Sequence, residues 1–146
     1  MNKQIVKQIR RAAGVIGSTL GPNGKLVAIT TQNPVTHTFD SILTKDGYKV
    51  SQSLKDTSAG ANFVRQVCKR QVREVGDGTT SVAVLLAHLV GYKLKDLLVL
   101  EKCIGPLKEF LDGVAQKKID STTLHNIAMV ASNGDARISD AVATVV

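Results

Sequence analysis

The stretch Gly76-Asp77-Gly78-Thr79-Thr80-Ser81 stands directly before an apolar run, residues 82–89, that predicts a helix. Glycines let a backbone approach a ligand closely and adopt positive φ, and the unpaired N–H groups of a helix's first turn favour an anion. Mg²⁺ prefers one or two protein carboxylates supplemented by phosphate oxygens and water, and Asp77 could supply one. The stretch therefore predicts a site for a phosphate and its metal, with three hydroxyl side chains as further donors. Taken alone, it fits an ordinary Asp-Gly turn followed by a Thr N-cap equally well.

The composition indicates a basic chain of domain size. Among 146 residues, 19 are Lys or Arg and 12 are Asp or Glu, which gives a formal net charge of +7 at pH 7. Such a charge indicates an anionic partner: a nucleotide, a nucleic acid, an acidic protein or a membrane surface. Three Phe, two Tyr and no Trp would supply a base-stacking platform poorly. We therefore expect no nucleic-acid partner.

The sequence predicts a cytoplasmic protein with no membrane partner. The amino terminus is polar and basic with no apolar signal core after it, and no run approaches the roughly 18 apolar residues of a membrane span. Cys68 and Cys103 lie in helical patterns. This placement argues against a disulfide framework and favours a reducing compartment.

Apolar residues recur every three or four positions through most of the chain, which predicts helices. The helices are predicted over residues 2–20, 59–75, 79–100, 103–117, 121–130 and 138–146. The helix over 79–100 has few polar residues early on and is expected to be the most buried. Pro106 suits the first turn of the next helix, and Ser121-Thr122-Thr123 can cap the one after it.

Short β-prone segments follow the first helix. Residues 25–30 and 36–43 flank an Asn33-Pro34 turn, and the second segment runs into Thr44-Lys45-Asp46-Gly47. Asp-Gly favours a tight hairpin turn, which would carry a cation and a carboxylate here. We predict a mainly α fold, a helical bundle with a small antiparallel β ribbon.

Three motifs stand in order along the chain: Thr19-Leu20-Gly21-Pro22, then Thr44-Lys45-Asp46-Gly47, then Gly76-Asp77-Gly78-Thr79-Thr80 with its Val/Leu-rich helix. Singly, the first fits a helix stop and the second a turn. Together, and in this order, they resemble the group I chaperonins of the bacterial sixty-kilodalton type. The resemblance covers residues 3–142 and implies that family's equatorial domain, a helical bundle with a small ribbon.

The resemblance implies ATP and Mg²⁺ as ligands and gives the motif residues their roles. Asp77 would bind Mg²⁺, Lys45 would approach the phosphates, and Asp46 would help to position the attacking water. Val130 would touch the base. The nucleotide would be lined by Thr19, Leu20, Gly21 and Pro22, and its phosphates would be cradled by Gly78, Thr79, Thr80 and Ser81.

The resemblance further implies the ATP-binding segment of a ring-forming chaperonin that assists protein folding. Residues 1–113 would be the first segment of the equatorial ATP-binding domain, and residues 114–146 the start of the intermediate domain. In the family a returning segment supplies the hydrolytic aspartate, and these 146 residues contain none of it. We therefore expect a part of a longer chain, with poor or no hydrolysis by this segment alone.

The implied partners are identical or chaperonin subunits in a ring, a co-chaperonin, and unfolded protein clients only if an apical domain is present. Two alternatives stay open. A truncated chaperonin-like module would bind nucleotide or a full chaperonin ring without hydrolysis. A basic helical nucleic-acid binder would carry the G-D-G-T-T match by accident, although the basic face of Lys69, Arg70 and Arg73 favours a solvated surface.

Overall fold

The computed structural model describes residues 2–115, 118–132 and 134–145. These residues form α1 (Lys3–Gly17), β1 (Val27–Gln32), β2 (Phe39–Thr44), α2 (Gly47–Ser53), α3 (Ala59–Glu74), α4 (Thr79–Leu89), α5 (Leu94–Val114), α6 (Ser121–Ala131) and α7 (Ala136–Val145). The predicted mainly α fold with a small antiparallel ribbon is confirmed. Within these ranges, the structure contains no helix that is both long enough and apolar enough to cross a membrane. The chain divides into two compact units, Met1–Leu98 and Val99–Val146, and the division falls inside α5.

The core of the first unit forms where α1, α3 and α4 pack against one another. The helical period of α1 places Ile9, Ala12, Ala13 and Ile16 on one face, and all four are buried. The other buried apolar side chains of this core are Ile29, Val50, Ala61, Val64, Cys68 and Ala83. Helix α1 therefore contributes the largest share of the buried apolar face.

Gly60 lets α1 and α3 approach closely. Its N–H donates to Oε1 of Gln8 at 3.1 Å, and a Cβ in its place would lie 2.9 Å from the backbone N of Ile9. That contact is closer than packed atoms tolerate. The small residue is therefore a condition of this helix pair.

The interpretation of Thr44-Lys45-Asp46-Gly47 as a hairpin turn was wrong. Strands β1 and β2 pair antiparallel from Gln32↔Phe39 to Val27↔Thr44, and the chain then enters α2. Oδ1 of Asp46 accepts the N–H groups of Tyr48 at 2.9 Å and Lys49 at 3.3 Å, so Asp46 is an N-cap. An Asp side chain that satisfies two first-turn donors favours a helix start over a turn.

The predicted single helix over 79–100 was wrong, because α4 ends at Leu89 and α5 begins at Leu94. The carbonyl of Ala87, which would accept from Gly91 in a continuing helix, instead accepts from Nε of Arg10 at 3.3 Å. The N–H of Gly91 turns to the carbonyl of His88 at 3.3 Å. A tertiary contact with α1 therefore accompanies the end of α4.

Helix α4 is also not the most buried helix, contrary to the prediction. Its buried residues are Thr79 and Ala83, whereas Leu85 is 59% and Leu89 43% exposed. The helix is apolar almost all round, but its contacts with α1, α2 and α3 leave these leucines exposed. The uniformly apolar sequence of α4 therefore did not predict how much of the helix its neighbours bury.

The second unit contains most of α5, together with α6 and α7, which pack against each other. Pro106 lies inside α5 and not in a first turn as predicted. Helix α6 is capped by Asp120, whose Oδ1 accepts the N–H of Thr123 at 2.7 Å, and not by Ser121-Thr122-Thr123. The predicted helix ends at 117 and 146 lie outside the described residues.

Candidate functional site

The loop before α4 turns through two left-handed glycines. Gly76 has φ 86° and Gly78 φ 79°, a conformation that favours glycine over other residues. Oδ1 of Asp77 accepts the N–H of Gly78 at 2.6 Å. Gly78 occupies the N-cap position of α4 and offers no side chain to the first turn. The positive end of α4 is therefore left without a side-chain cap among the described residues, which favours an anion there.

The Thr19 and Thr44 motifs meet this helix start. The hydroxyl oxygens of Thr19 and Thr80 lie 3.4 Å apart. A Cβ on Gly47 would overlap Oγ1 of Thr80 and lie 3.0 Å from its backbone N, so α2 begins directly against α4. Nζ of Lys45 donates to the carbonyl of Pro22 at 3.2 Å. The first and the second motif therefore each contact the third at Thr80, and they contact one another through Lys45 and Pro22.

The site has a buried base and an exposed rim. Thr19 and Thr79 are 4% and 7% exposed, and Thr19 donates to the carbonyl of Ile16 at 2.8 Å. Lys45 is half-buried. The exposed rim consists of Leu20, Gly21, Pro22, Asp46, Asp77 and Ser81, while Gly78 and Thr80 are half-buried. Hydroxyl and amide donors therefore stand next to solvent-accessible carboxylates.

Each rim carboxylate spends one oxygen on the backbone. Oδ1 of Asp46 caps α2 and Oδ1 of Asp77 accepts from Gly78, whereas Oδ2 of each has no hydrogen bond within the described residues. No group of three or more His, Cys, Asp or Glu side chains that could hold a metal occurs in that same part of the chain. Mg²⁺ often binds through one or two carboxylates completed by phosphate oxygens and water. The donor set fits a cation that arrives with a phosphate ligand.

Sequence reasoning missed two residues that support the loop from α3. Nε2 of Gln71 donates to the carbonyl of Asp77 at 2.8 Å. The buried Sγ of Cys68 lies 4.0 Å from the carbonyl of Thr79, and burial raises the pKa of its thiol. Gln71 lies in the polar final turn of α3, where the sequence alone does not distinguish it from a surface residue.

Val130 belongs to α6 of the second unit and is 81% exposed. Its assignment as a contact of the base stays a prediction. The other predicted site residues all lie in the first unit.

Comparison with known proteins gives the family. The profile of the TCP-1/cpn60 chaperonin family matches residues 13–146, and the chain therefore belongs to this family. The mitochondrial chaperonin HSP60 of Trypanosoma cruzi is 27% identical over 90% of this chain and 25% of its own length. The chaperonin GroEL of Ehrlichia chaffeensis is 28% identical over 100% of this chain and 28% of its own length. The resemblance to group I chaperonins is confirmed.

Solved structures show the same fold. The chaperonin gp146 from bacteriophage EL 2 (Pseudomonas aeruginosa), crystallised in the presence of ATP-BeFx, matches 97% of this chain with a TM-score of 0.74 and 24% identity. A group III chaperonin in the open state matches 94% with a TM-score of 0.64 and 25% identity. The chain spans 27% and 29% of these two chains. It therefore corresponds to about a quarter of the proteins it matches.

Proposed function

We propose that this chain is the ATP-binding segment of a ring-forming chaperonin that assists protein folding. The observation that carries the proposal is the meeting of Thr19, Gly47 and Thr80 at the uncapped start of α4. Family membership supports the chaperonin role. An uncapped helix start with hydroxyl donors is suited to phosphate groups.

The proposed ligand is ATP with Mg²⁺. Gly78, Thr79, Thr80 and Ser81 cradle the phosphates, and Thr19-Leu20-Gly21-Pro22 lines the nucleotide. Lys45 moves from the carbonyl of Pro22 to the phosphates, and the free oxygen of Asp77 holds Mg²⁺. Mg²⁺ neutralises charge on the phosphates when bound. Val130 is the proposed contact of the base.

Hydrolysis of ATP by this segment alone is expected to be slow. Asp46 positions the attacking water through its free oxygen, while its other oxygen stays on the first turn of α2. A single water-orienting carboxylate without further catalytic groups supports slow chemistry. We expect these 146 residues to turn over ATP more slowly than about 1 per second.

The proposed assembly is a ring with identical or chaperonin subunits, with a co-chaperonin as a further partner. Unfolded protein clients require an apical domain. Residues 1–113 are assigned to the equatorial domain and 114–146 to the start of the intermediate domain. The proposed location is the cytoplasm.

A second candidate function is a chaperonin-like module that binds nucleotide or a full ring without hydrolysis. The exposed apolar side chains of α4, Leu85 and Leu89, offer a surface to another subunit, which fits this module as well as a ring subunit. ATP turnover by a ring that contains no other chaperonin subunits separates the two candidates.

NMR titration of the ¹⁵N-labelled chain tests the proposed ligand site. Addition of Mg–ATP should shift the amide signals of residues 76–81 and of Thr19 and Gly47. Adenosine, which has no phosphate, should leave the signals of residues 78–81 in place. Shifts confined to other residues, or equal shifts with adenosine, would contradict the assignment.

A further inference from the structure

A basic groove lies at the other end of α4 from the candidate site. It has a volume of about 820 Å³ and is lined by Lys3, Lys7, Arg10 and Lys93 together with Val6 and Val90. All these residues belong to the first unit. Helix α4 has 11 residues, so about 16 Å of helix separates the groove from the candidate site at Thr80, which we call the Thr80 site. We define the basic groove by these six residues together with Gly91 and Tyr92, which also line it.

The charges of the groove are uncompensated within the described residues. Lys3 stands at the first position of α1, whose first turn contains no acidic residue, so its charge opposes the helix dipole. Lys7 follows Lys3 by four positions and Arg10 follows Lys7 by three, which are spacings at which like charges repel. None of the four cations has a carboxylate within 4.0 Å in the described part of the chain. Asp96, in the first turn of α5, accepts the backbone N–H of Lys93 at 3.1 Å.

Arg10 is built into the wall of the groove. Its Nε donates to the carbonyl of Ala87 at 3.3 Å, at the negative end of α4. A Cβ on Gly91 would overlap the guanidinium of Arg10, so the glycine leaves room for it. The cation is therefore held at a defined place beside Val90.

We propose that the basic groove binds an acidic polypeptide segment whose apolar side chains pack on Val6 and Val90. Carboxylates over the first half of α1 would relieve both the dipole conflict and the repulsion among the cations. The half-buried Val6 and Val90 give an apolar floor. Tyr92 is the only aromatic residue of the lining, which is a poor platform for stacked bases and disfavours a nucleic acid.

The test titrates the full chain into a short labelled peptide of alternating Glu and Leu and measures the fluorescence anisotropy of the peptide. The matching Gln-Leu peptide controls for apolar binding, and a single-stranded RNA of equal charge tests the nucleic-acid alternative. The variant is Lys3→Glu with Lys7→Glu. It should retain the fold because both side chains are exposed and Glu at position 3 suits the first turn of α1; circular dichroism checks this.

A matched control variant is Lys69→Glu with Arg73→Glu. This pair is also four positions apart on a helix, lies outside the basic groove, and changes the net charge equally. We expect the Glu-Leu peptide to bind the unchanged chain, and the Lys3/Lys7 variant to bind it about tenfold more weakly. The control variant should remain within about twofold, and added salt should weaken binding.

Several results would overturn the proposal. No binding of the Glu-Leu peptide, equal binding of the Gln-Leu peptide, or equal loss in both variants would each exclude a specific acidic segment. Tighter binding of the RNA with the same dependence on Lys3 and Lys7 would assign the groove to nucleic acid. None of these results bears on ATP binding at the Thr80 site, because the titrations contain no ATP and Lys3 and Lys7 line the groove at the other end of α4.

Discussion

The hydroxyl oxygens of Thr19 and Thr80 lie 3.4 Å apart, although 61 positions of sequence separate the two residues. Thr19 follows the end of α1 and Thr80 stands in the first turn of α4. Packing of these two helices in the core fixes the pair, and Gly47 closes the third side. The candidate site thus depends on the fold of the whole first unit.

Gly47→Ala is predicted to damage the site. The added Cβ would overlap Oγ1 of Thr80 and lie 3.0 Å from its backbone N, so α2 or α4 must shift. We expect a loss of about 1–3 kcal/mol in the free energy of unfolding, measured with urea, and weaker ATP binding. Gly105→Ala is the control, since a Cβ there meets nothing within 4 Å and Ala favours the helix. Equal stability of the two variants would contradict the close contact.

Gln71→Ala is predicted to loosen the loop before α4. It removes the donor to the carbonyl of Asp77, a hydrogen bond of 2.8 Å. We expect about 0.5–1.5 kcal/mol less stability and faster hydrogen exchange at Gly76 and Gly78. Gln71→Glu keeps the length of the side chain but cannot donate when ionised, so it should behave like Ala at pH 7. A Glu variant with unchanged exchange would contradict the role of this bond.

The carboxyl of Asp56 is predicted to make stability depend on acid pH. Hydrogen bonds from the backbone and hydroxyl of Ser58 lower its pKa below the ordinary 3.8, with smaller help from Arg11 and Arg65. A depressed folded-state pKa gives stability that is present above the unfolded pKa and lost as pH falls through the folded value. Asp56→Ala should therefore be less stable than the unchanged chain at pH 7. The gap, measured by thermal unfolding, should narrow below about pH 3.8; a constant gap would contradict this cause.

The exposed face of α4 is predicted to drive association. Leu85 and Leu89 are 59% and 43% exposed and stand four positions apart. Sedimentation velocity should show association that rises with protein concentration and that falls in Leu85→Gln with Leu89→Gln. Val35→Gln is the control, because Val35 is 84% exposed in the turn between the strands. A concentration-independent monomer would contradict this prediction.

Local pattern was enough to predict α1 and α3, because their apolar periods are regular and Gly-Pro or Asp-Gly signals follow them. It failed where side chains decide the backbone. A hairpin turn was predicted where Asp46 instead caps the first turn of α2. The carbonyl of Ala87, which would accept from Gly91 if α4 continued, accepts from Arg10. Neither hydrogen bond can be recognised from the periodic pattern of apolar residues.

The candidate site was predicted as three motifs, and their order suggested a common site through the resemblance. The distances among Thr19, Gly47 and Thr80 depend on tertiary packing and could not be read from spacing. Gln71 was missed because a glutamine in a polar helix end resembles any surface residue. Its role depends on where the next loop folds back.

Asp77→Asn gives the most direct test of the proposed Mg–ATP site. In the unchanged chain, Oδ1 of Asp77 accepts the N–H of Gly78 at 2.6 Å. Asn keeps this Oδ1 acceptor but removes the charge that would hold Mg²⁺. Asp96→Asn is the matched control, since Asp96 likewise accepts a loop N–H, that of Lys93 at 3.1 Å. The measurement is the ATP dissociation constant by calorimetry with Mg²⁺ and with EDTA. We predict that Mg²⁺ tightens ATP binding in the unchanged chain and the control but not in Asp77→Asn; a full Mg²⁺ effect in Asp77→Asn would contradict the assignment.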